Sequence, residues 1–430
     1  MHYQIIVIMS FFVLLFLSFP IALTILFTAI VGLYFRDVPL TILIPNLYGR
    51  LTSLTYLAVP MYIFAGTLMN ELGIAERIFS FANSIVGHVK GGLAHVNVFA
   101  SMIFAGMSGS STADCAGLGR VEIKAMNEAG YDPAFSAAIT AASSIIGPII
   151  PPSIHMMIFA MVAEVPAAAI LIAGIGPGLI IGFSLMITIY ILSIMGKIKC
   201  SVNPERLRLR MIFQKFKEGF WALLAPVIIV GGILGGVVTA TEAGVIAVAY
   251  TLLVGGFIYK TLTIDKVSKC LDLTIYSIGV ISFIMAVAAI FTWYVTIENV
   301  PELFVNFVLS VTSSHFLILL MVAVMLLILG TVATASANIV LVTPILLPLL
   351  LSVGLDPIHI GVFIVFGLVI GIVTPPVGAA LYIVSDVAKV PFEKVVMAIL
   401  PFYIPLIIGL LLIMFIPAIS LFLPRLFRLM

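Results

Sequence analysis

The chain has 430 residues, of which 63% are hydrophobic and 9% charged, with a formal net charge of +2 and a mean hydropathy of +1.32. A soluble domain carries about a quarter charged residues, so an aqueous globule is excluded, and this charge balance argues for no nucleic-acid partner. The three cysteines, Cys115, Cys200 and Cys270, have neither metal nor disulfide spacing and read as small apolar fillers.

Charge-free runs long enough to cross ~30 Å of hydrocarbon recur at 5–35, 51–70, 133–163, 165–196, 219–241, 273–297, 303–355, 357–385 and 395–424. The chain is therefore predicted to be an all-α polytopic protein of the lipid bilayer. Run 5–35 is too long and uniform for a leader peptide, and no small-residue cleavage site follows a short apolar core, so it is expected to remain as the first span.

Orientation follows from basic residues, which stay in the cytoplasm. The clearest basic loop is 197–217, with Lys197, Lys199, Arg206, Arg208, Arg210, Lys215 and Lys217. Anchoring it inside puts the N-terminus inside as well. After the span at 51–70 and a short amphipathic segment at 74–88, segments 92–107 and 112–128 flank a Ser-Gly-Ser-Ser tip. Their feet carry Lys90 at one end and Arg120 and Lys124 at the other, so both lie inside. At ~1.5 Å per residue each limb reaches only ~24 Å, which predicts a re-entrant helical hairpin, 92–128, with its tip within the membrane.

A Gly-Tyr-Asp-Pro turn leads to the span 133–163, broken by Gly147 to Ser153, and then to 165–196. Beyond the basic loop, 219–239 goes out, 241–259 returns to Lys260, Lys266 and Lys269, and 272–297 goes out to Glu298 and Glu302. An amphipathic segment at 301–312 precedes a second hairpin, 316–352, whose feet lack Lys and Arg and so enter from outside. The broken span 358–388 ends inside at Lys389 and Lys394, and 395–424 places the C-terminus outside. Arg425 and Arg428 depart from the charge rule there.

The two halves are related. Adding 224 to the numbers of Gly106 to Pro152 lands on Gly330 to Pro376: Gly130, Asp132 and Pro133 become Gly354, Asp356 and Pro357, and Pro151 and Pro152 become Pro375 and Pro376. Only 9 of 47 pairs are identical, but eight are Gly, Pro, Asp or Ile at breaker and turn positions in ungapped register. With five full spans between equivalent points, the expected plan is an inverted-topology repeat: 1–196 as the first unit, 197–240 as basic loop and linking span, and 241–430 as the second. Such repeats are a transporter architecture.

Non-helical backbone at membrane depth survives only where it is buried in protein or lines a polar cavity. Four places qualify: the tips Met107 to Thr112 and Thr331 to Ser336, and the breaks Gly147 to Ser153 and Gly371 to Gly378. Paired prolines remove amide donors and free carbonyls a turn earlier, leaving oxygens suited to a small hard cation such as sodium. The candidate sodium ligands are Ser108, Gly109, Ser110, Gly147, Pro148 and Pro151 in one unit, and Thr331, Ala333, Thr334, Thr374, Pro375 and Gly378 in the other. Helix N-termini past the tips present free amides to an anion, so the candidate substrate-binding residues are Ser110, Ser111, Thr112, Asp114, Ser336 and Asn338. Close packing alone also uses Ser, Thr and Gly in membrane helices, but it does not account for tip and double-proline break recurring at one offset. For Asp114 two roles stay open, a local cap and a direct ion ligand. Glu164, Glu242, Glu298 and Asp386 read as interface anchors, and His155 as packing. No HExxH, GxSxG or phosphate-loop pattern is present, so no enzyme is expected.

The motifs Gly-Met-Ser-Gly-Ser-Ser-Thr-Ala-Asp (106–114), Gly-Tyr-Asp-Pro (130–133), Ile-Gly-Pro-Ile-Ile-Pro-Pro-Ser (146–153) and Ile-Val-Thr-Pro-Pro-Val-Gly (372–378) resemble the large membrane subunit of tripartite ATP-independent periplasmic (TRAP) transporters. The likeness extends over essentially the whole chain. It implies sodium-coupled import of an organic acid, of the sialic acid or C4-dicarboxylate class, across the bacterial inner membrane. It also implies a periplasmic substrate-binding protein, a separate small four-helix membrane subunit, and elevator-type movement of the hairpin-bearing core. The alternative on the same plan is a carrier of di- or tricarboxylates or other anions that works without a binding protein.

Overall fold

Prolines and glycines set the ends of the helices, and the structure is built around where they fall. The computed structural model describes residues 19–39, 43–53, 55–198 and 209–430, with Val7, Met9, Ser10, Phe11, Val13, Leu14, Leu17 and Thr41. The start of the predicted span 5–35, and Lys199, Cys200, Arg206 and Arg208 of the basic loop, lie outside the described residues. The described residues are mostly helical, and among them seven helices are long and apolar enough to cross a membrane.

The chain opens with α1 (Ile21–Phe35), α2 (Leu43–Leu51), α3 (Ala58–Glu71) and the amphipathic α4 (Ile74–Val86). Run 5–35 is thus not one continuous helix, because α1 starts only after Pro20. The first hairpin is α5 (Gly92–Ser108) followed by α6 (Ser111–Ala116) and α7 (Leu118–Glu128). Its second limb was expected to be continuous, but it is interrupted at Gly117, which packs against the Asn70 side chain where a Cβ would not fit.

Next come α8 (Pro133–Ser144) and α9 (Ile154–Ala163), the halves of the first broken span, then α10 (Ala167–Ala173) and α11 (Ile175–Ile194). From residue 209 onward follow α12 (Leu209–Leu234), α13 (Ala240–Leu253), which runs into a π-helical turn, and the long α14 (Ile264–Ile297). The second unit continues with α15 (Val300–Val311), the hairpin α16 (His315–Val332) and α17 (Ala335–Ser352), and the broken pair α18 (Pro357–Gly371) and α19 (Ala379–Ala388). It ends with α20 (Phe392–Phe415) and α21 (Ala418–Leu426), a division of run 395–424 at Ile416 and Pro417.

Local chemistry explains the shared boundaries. Pro133 and Pro357 each open a helix at its first turn, where a missing amide costs nothing. The preceding turns use Gly130 and Gly354 at φ 83° and 87°, a left-handed backbone that side chains resist. Both breaks contain a cis proline peptide, Pro151–Pro152 and Pro375–Pro376.

The broken spans form the centre of the molecule. Every residue of α18 from Ile358 to Gly371 is buried, as is every residue from Ser136 to Met161, the first break included. Each half-span past its break crosses to the other unit: α9 packs on α17, while α19 packs on α6, α7 and α8. Around this centre, α3 packs on α13 and α14 and also on α5, and α14 packs on α17. The crossing brings the hairpin of each unit against the broken span of its partner.

Candidate functional site

The first site is made where the tip of α5–α6 meets the break between α8 and α9. Gly109 turns the chain at φ 63°, and Ser110, in extended backbone, caps α6 by accepting the Ala113 amide. The helix therefore starts at Ser111, one residue before the expected Thr112. The Gly109 carbonyl accepts the amide of Ile154 at 3.4 Å, which ties the tip to the far side of the break. A Cβ on Gly109 would collide with the Pro152 carbonyl oxygen, so only glycine lets the two backbones approach this closely.

Side chains close the same junction. The Ser111 and Ser144 hydroxyls lie 2.8 Å apart, and Ser110 and Thr112 share a contact of 3.1 Å. Ser153 caps α9 and donates to the Pro148 carbonyl, so that carbonyl, one of the expected cation ligands, already has a donor. Gly147 faces Asp114: a Cβ there would collide with Asp114 Oδ2. Asp114 is 3% exposed, and neither carboxylate oxygen makes a well-formed hydrogen bond, although the Ser108 hydroxyl lies on its side. A buried, unpaired carboxylate beside a helix break is chemically incomplete.

The second site has the same parts in a different condition. Ala333 is extended, Thr334 caps α17 through the Ala337 amide, and α17 starts at Ala335. Asn338, the counterpart of Asp114, is satisfied: its amide donates to the Leu329 carbonyl at 2.8 Å and the Ala333 carbonyl at 3.2 Å, pinning the two limbs together. The Thr331 and Thr374 hydroxyls bond back to Ile328 and Ile370 of their own helices. Gly330 meets Gly371 backbone to backbone. Gly378 at φ 54° starts α19, and the Tyr403 hydroxyl donates to the Val373 carbonyl at 2.7 Å.

Exposure separates the sites. Residues 144–153 are all buried, whereas Pro376 and Val377 are exposed and Thr374 and Pro375 half-buried. Of the expected substrate-binding residues, Thr112 is exposed and Ser110 and Ser336 are half-buried, while Ser111, Asp114 and Asn338 are buried. Among the described residues no group of three or more His, Cys, Asp or Glu could hold a metal.

The expected anchors resolve variously. Glu298 is buried and pairs with Arg36 Nε at 2.7 Å, joining the end of α1 to the end of α14. Glu242 forms a capping box with Thr239. Sequence reasoning passed over a polar chain beneath the first tip: Asn97 and Ser101 on α5, Glu122 on α7, and Thr140 and Ser143 on α8. Its signal was present as polar residues three or four apart, Asn97 with Ser101 on one helix and Thr140 with Ser143 on another.

Comparison with known proteins adds a family. The model of the family described as "Tripartite ATP-independent periplasmic transporter, DctM component" matches residues 8–419. The sialic acid TRAP transporter large permease protein SiaM of Vibrio cholerae is 39% identical over 415 residues, 96% of each chain. The C4-dicarboxylate TRAP transporter large permease protein DctM of Pseudomonas aeruginosa is 37% identical, with 86% of each chain covered. Among solved structures, the YdaH transporter of Alcanivorax borkumensis superposes with a TM-score of 0.61 at 17% identity, covering 91% of this chain and 89% of its own, a likeness of fold.

Proposed function

The chain belongs to the DctM family of tripartite ATP-independent periplasmic transporters, as a large permease, and from that premise we propose that it imports an organic acid in symport with sodium. The observation that carries the reading is Asp114: a buried carboxylate with no well-formed hydrogen bond and only the Ser108 hydroxyl beside it, aimed at the backbone of the first helix break. A sodium ion there would complete it, with hydroxyl and carbonyl oxygens of Ser108, Gly109, Ser110 and Gly147 at hand. The second ion is assigned to the break near Thr374 to Gly378, which follows the point where Gly371 meets Gly330 of α16 backbone to backbone.

The substrate is an anion of the sialic acid or C4-dicarboxylate class. Neither tip nor break contains Lys or Arg, so its carboxylate is recognised by amides at the starts of α6 and α17, by the hydroxyls of Thr112, Thr334 and Ser336, and by sodium itself. Ion and anion then favour each other's binding, and that mutual preference is the coupling. Movement is of the elevator type, with the hairpins and broken spans travelling past α3 and α14. Both hairpins are re-entrant, the N-terminus and the basic loop 197–217 face the cytoplasm, and the C-terminus faces the periplasm. A periplasmic binding protein delivers the substrate, and a small four-helix membrane subunit completes the complex in the inner membrane.

The test is uptake of labelled sialic acid and of a C4-dicarboxylate into proteoliposomes holding the chain with its small subunit, with and without binding protein and an inward sodium gradient. Uptake requiring both is expected. Uptake indifferent to sodium would overturn the coupling, and uptake with sodium alone would place the chain with carriers that need no binding protein.

A further inference from the structure

Beside the first broken span lies a cavity that the tip-and-break geometry does not use. Its volume is about 710 Å³, within the ~300–1,000 Å³ usual for small-molecule sites. Its walls are α2 with the loop that follows, the C-terminal end of α9 and the last turns of α14. α2 packs on α14, while α9 takes its main contacts from α17 and α18, and the cavity is the space left between them. Ala160, Met161 and Ala289 line it as buried residues, and Glu164 and Thr296 stand exposed at its rim. From Ser153 to Met161 the helix rises ~12 Å, so this space is separate from the first break.

Four polar side chains of the lining are unspent. No hydrogen bond or ion pair among the described residues engages the Glu164 carboxylate, the Thr55 and Thr292 hydroxyls or the Trp293 indole N–H. Glu164 also ends α9 at φ 55°, a left-handed backbone in a place where glycine or asparagine is favoured. The fold thus holds a strained carboxylate at the rim, where a glycine would relieve it.

These groups together suit a ligand that both donates and accepts. The carboxylate only accepts, the indole N–H only donates, and each hydroxyl does either. Neighbouring alcohols meet all of these, and the C–H face of a sugar fits the apolar face of an indole. An ionised C4-dicarboxylate only accepts, and it would bring two negative charges toward Glu164. A bare cation has nothing to offer the indole N–H.

We propose that this cavity is an entry subsite for the polyhydroxylated part of a sugar acid, loaded from the periplasm before the carboxylate reaches the first tip, and that it selects sugar acids over C4-dicarboxylates. The direction of entry and the place in the cycle rest on the transport reading. In the elevator movement α9 travels against α14, so the walls enclose a ligand in one arrangement and part from it in the other.

Trp293 is one of two tryptophans, the other being Trp221 on α12, so its emission reports on the cavity. With the permease complex in lipid, sialic acid should change tryptophan emission saturably, succinate should not, and Trp293→Phe should abolish the change. Glu164→Gly relieves the left-handed backbone, so thermal unfolding should hold or rise. The same variant removes hydrogen bonds to a charged group, and the dissociation constant for sialic acid should rise roughly tenfold. In uptake it should raise KM several-fold with kcat little changed. Wild-type emission that sialic acid leaves unchanged overturns the subsite with no variant needing to fold. An equal response to succinate, a response that survives Trp293→Phe, or an affinity that Glu164→Gly does not alter overturns it as well. A sialic acid response without sodium-driven uptake leaves the subsite standing and fails the transport reading, whereas sodium-driven uptake without that response does the reverse.

Discussion

Asp114 and Asn338 hold the same place in the two repeats, and the protein treats them oppositely. The Asn338 amide spends its hydrogens on the Leu329 and Ala333 carbonyls, stitching its hairpin shut. The Asp114 carboxylate faces the break at Gly147 with no well-formed hydrogen bond. One site carries its own closure within the fold, and the other waits for something positive.

Asp114→Asn should keep the fold and lose the ion. The amide is close in shape to the carboxylate but lacks its charge, and a hydrogen bond or contact to a charged group is worth ~1.5–3 kcal/mol. The sodium concentration for half-maximal uptake should rise roughly tenfold or more, measured in proteoliposomes, while thermal unfolding moves little.

Asn338→Ala should show the reverse pattern. It removes the side-chain donor of the Ala333 carbonyl and leaves the Leu329 carbonyl only the 3.4 Å bond from the Ala333 amide, at ~1–3 kcal/mol for a buried group left unmade. The melting temperature should fall clearly, and the sodium dependence of the remaining uptake should change less than in Asp114→Asn.

Gly66 on α3 is where the first hairpin tip touches the surrounding helices. A Cβ there would sit 3.3 Å from Ser108 Cα, tighter than ordinary contact but not a collision. Gly66→Ala should therefore be tolerated with reduced uptake. Gly66→Leu should wedge the tip away, with an overpacking cost of ~1–3 kcal/mol and loss of uptake at near-normal expression.

Ser153 both caps α9 and holds the Pro148 carbonyl. Ser153→Ala should cost ~0.5–2 kcal/mol for the cap and release that carbonyl. Unfolding measurements should report the first effect, and a changed sodium requirement the second.

The hairpins, breaks and repeat could be read from the chain because they rest on backbone rules. Gly130 and Gly354, Pro133 and Pro357, and the two Pro-Pro pairs act through their own dihedral angles and missing amides, whatever surrounds them. The interruption at Gly117 was not readable, because it depends on Asn70 reaching it from another helix. Glu122 was hidden for a related reason. Its neighbours Arg120 and Lys124 are exposed, as a basic foot should be, and only the rotation of α7 against α5 and α8 turns Glu122 inward. The sequence also offered Asp114 and Asn338 as equivalents, and their difference lies in which donors the folded tip places around them.

The unequal covering of the two breaks has a kinetic consequence. The first is closed over from Ser144 to Ser153, while the second leaves Pro376 and Val377 open. An ion at the second break could trade places with bulk water in this conformation, whereas one at the first could leave only after the Gly109 tip lifts from Pro152 and Ile154. Occupancy would then follow a sequence, with the first ion trapped early and released late, and isotope exchange should resolve into a fast and a slow component.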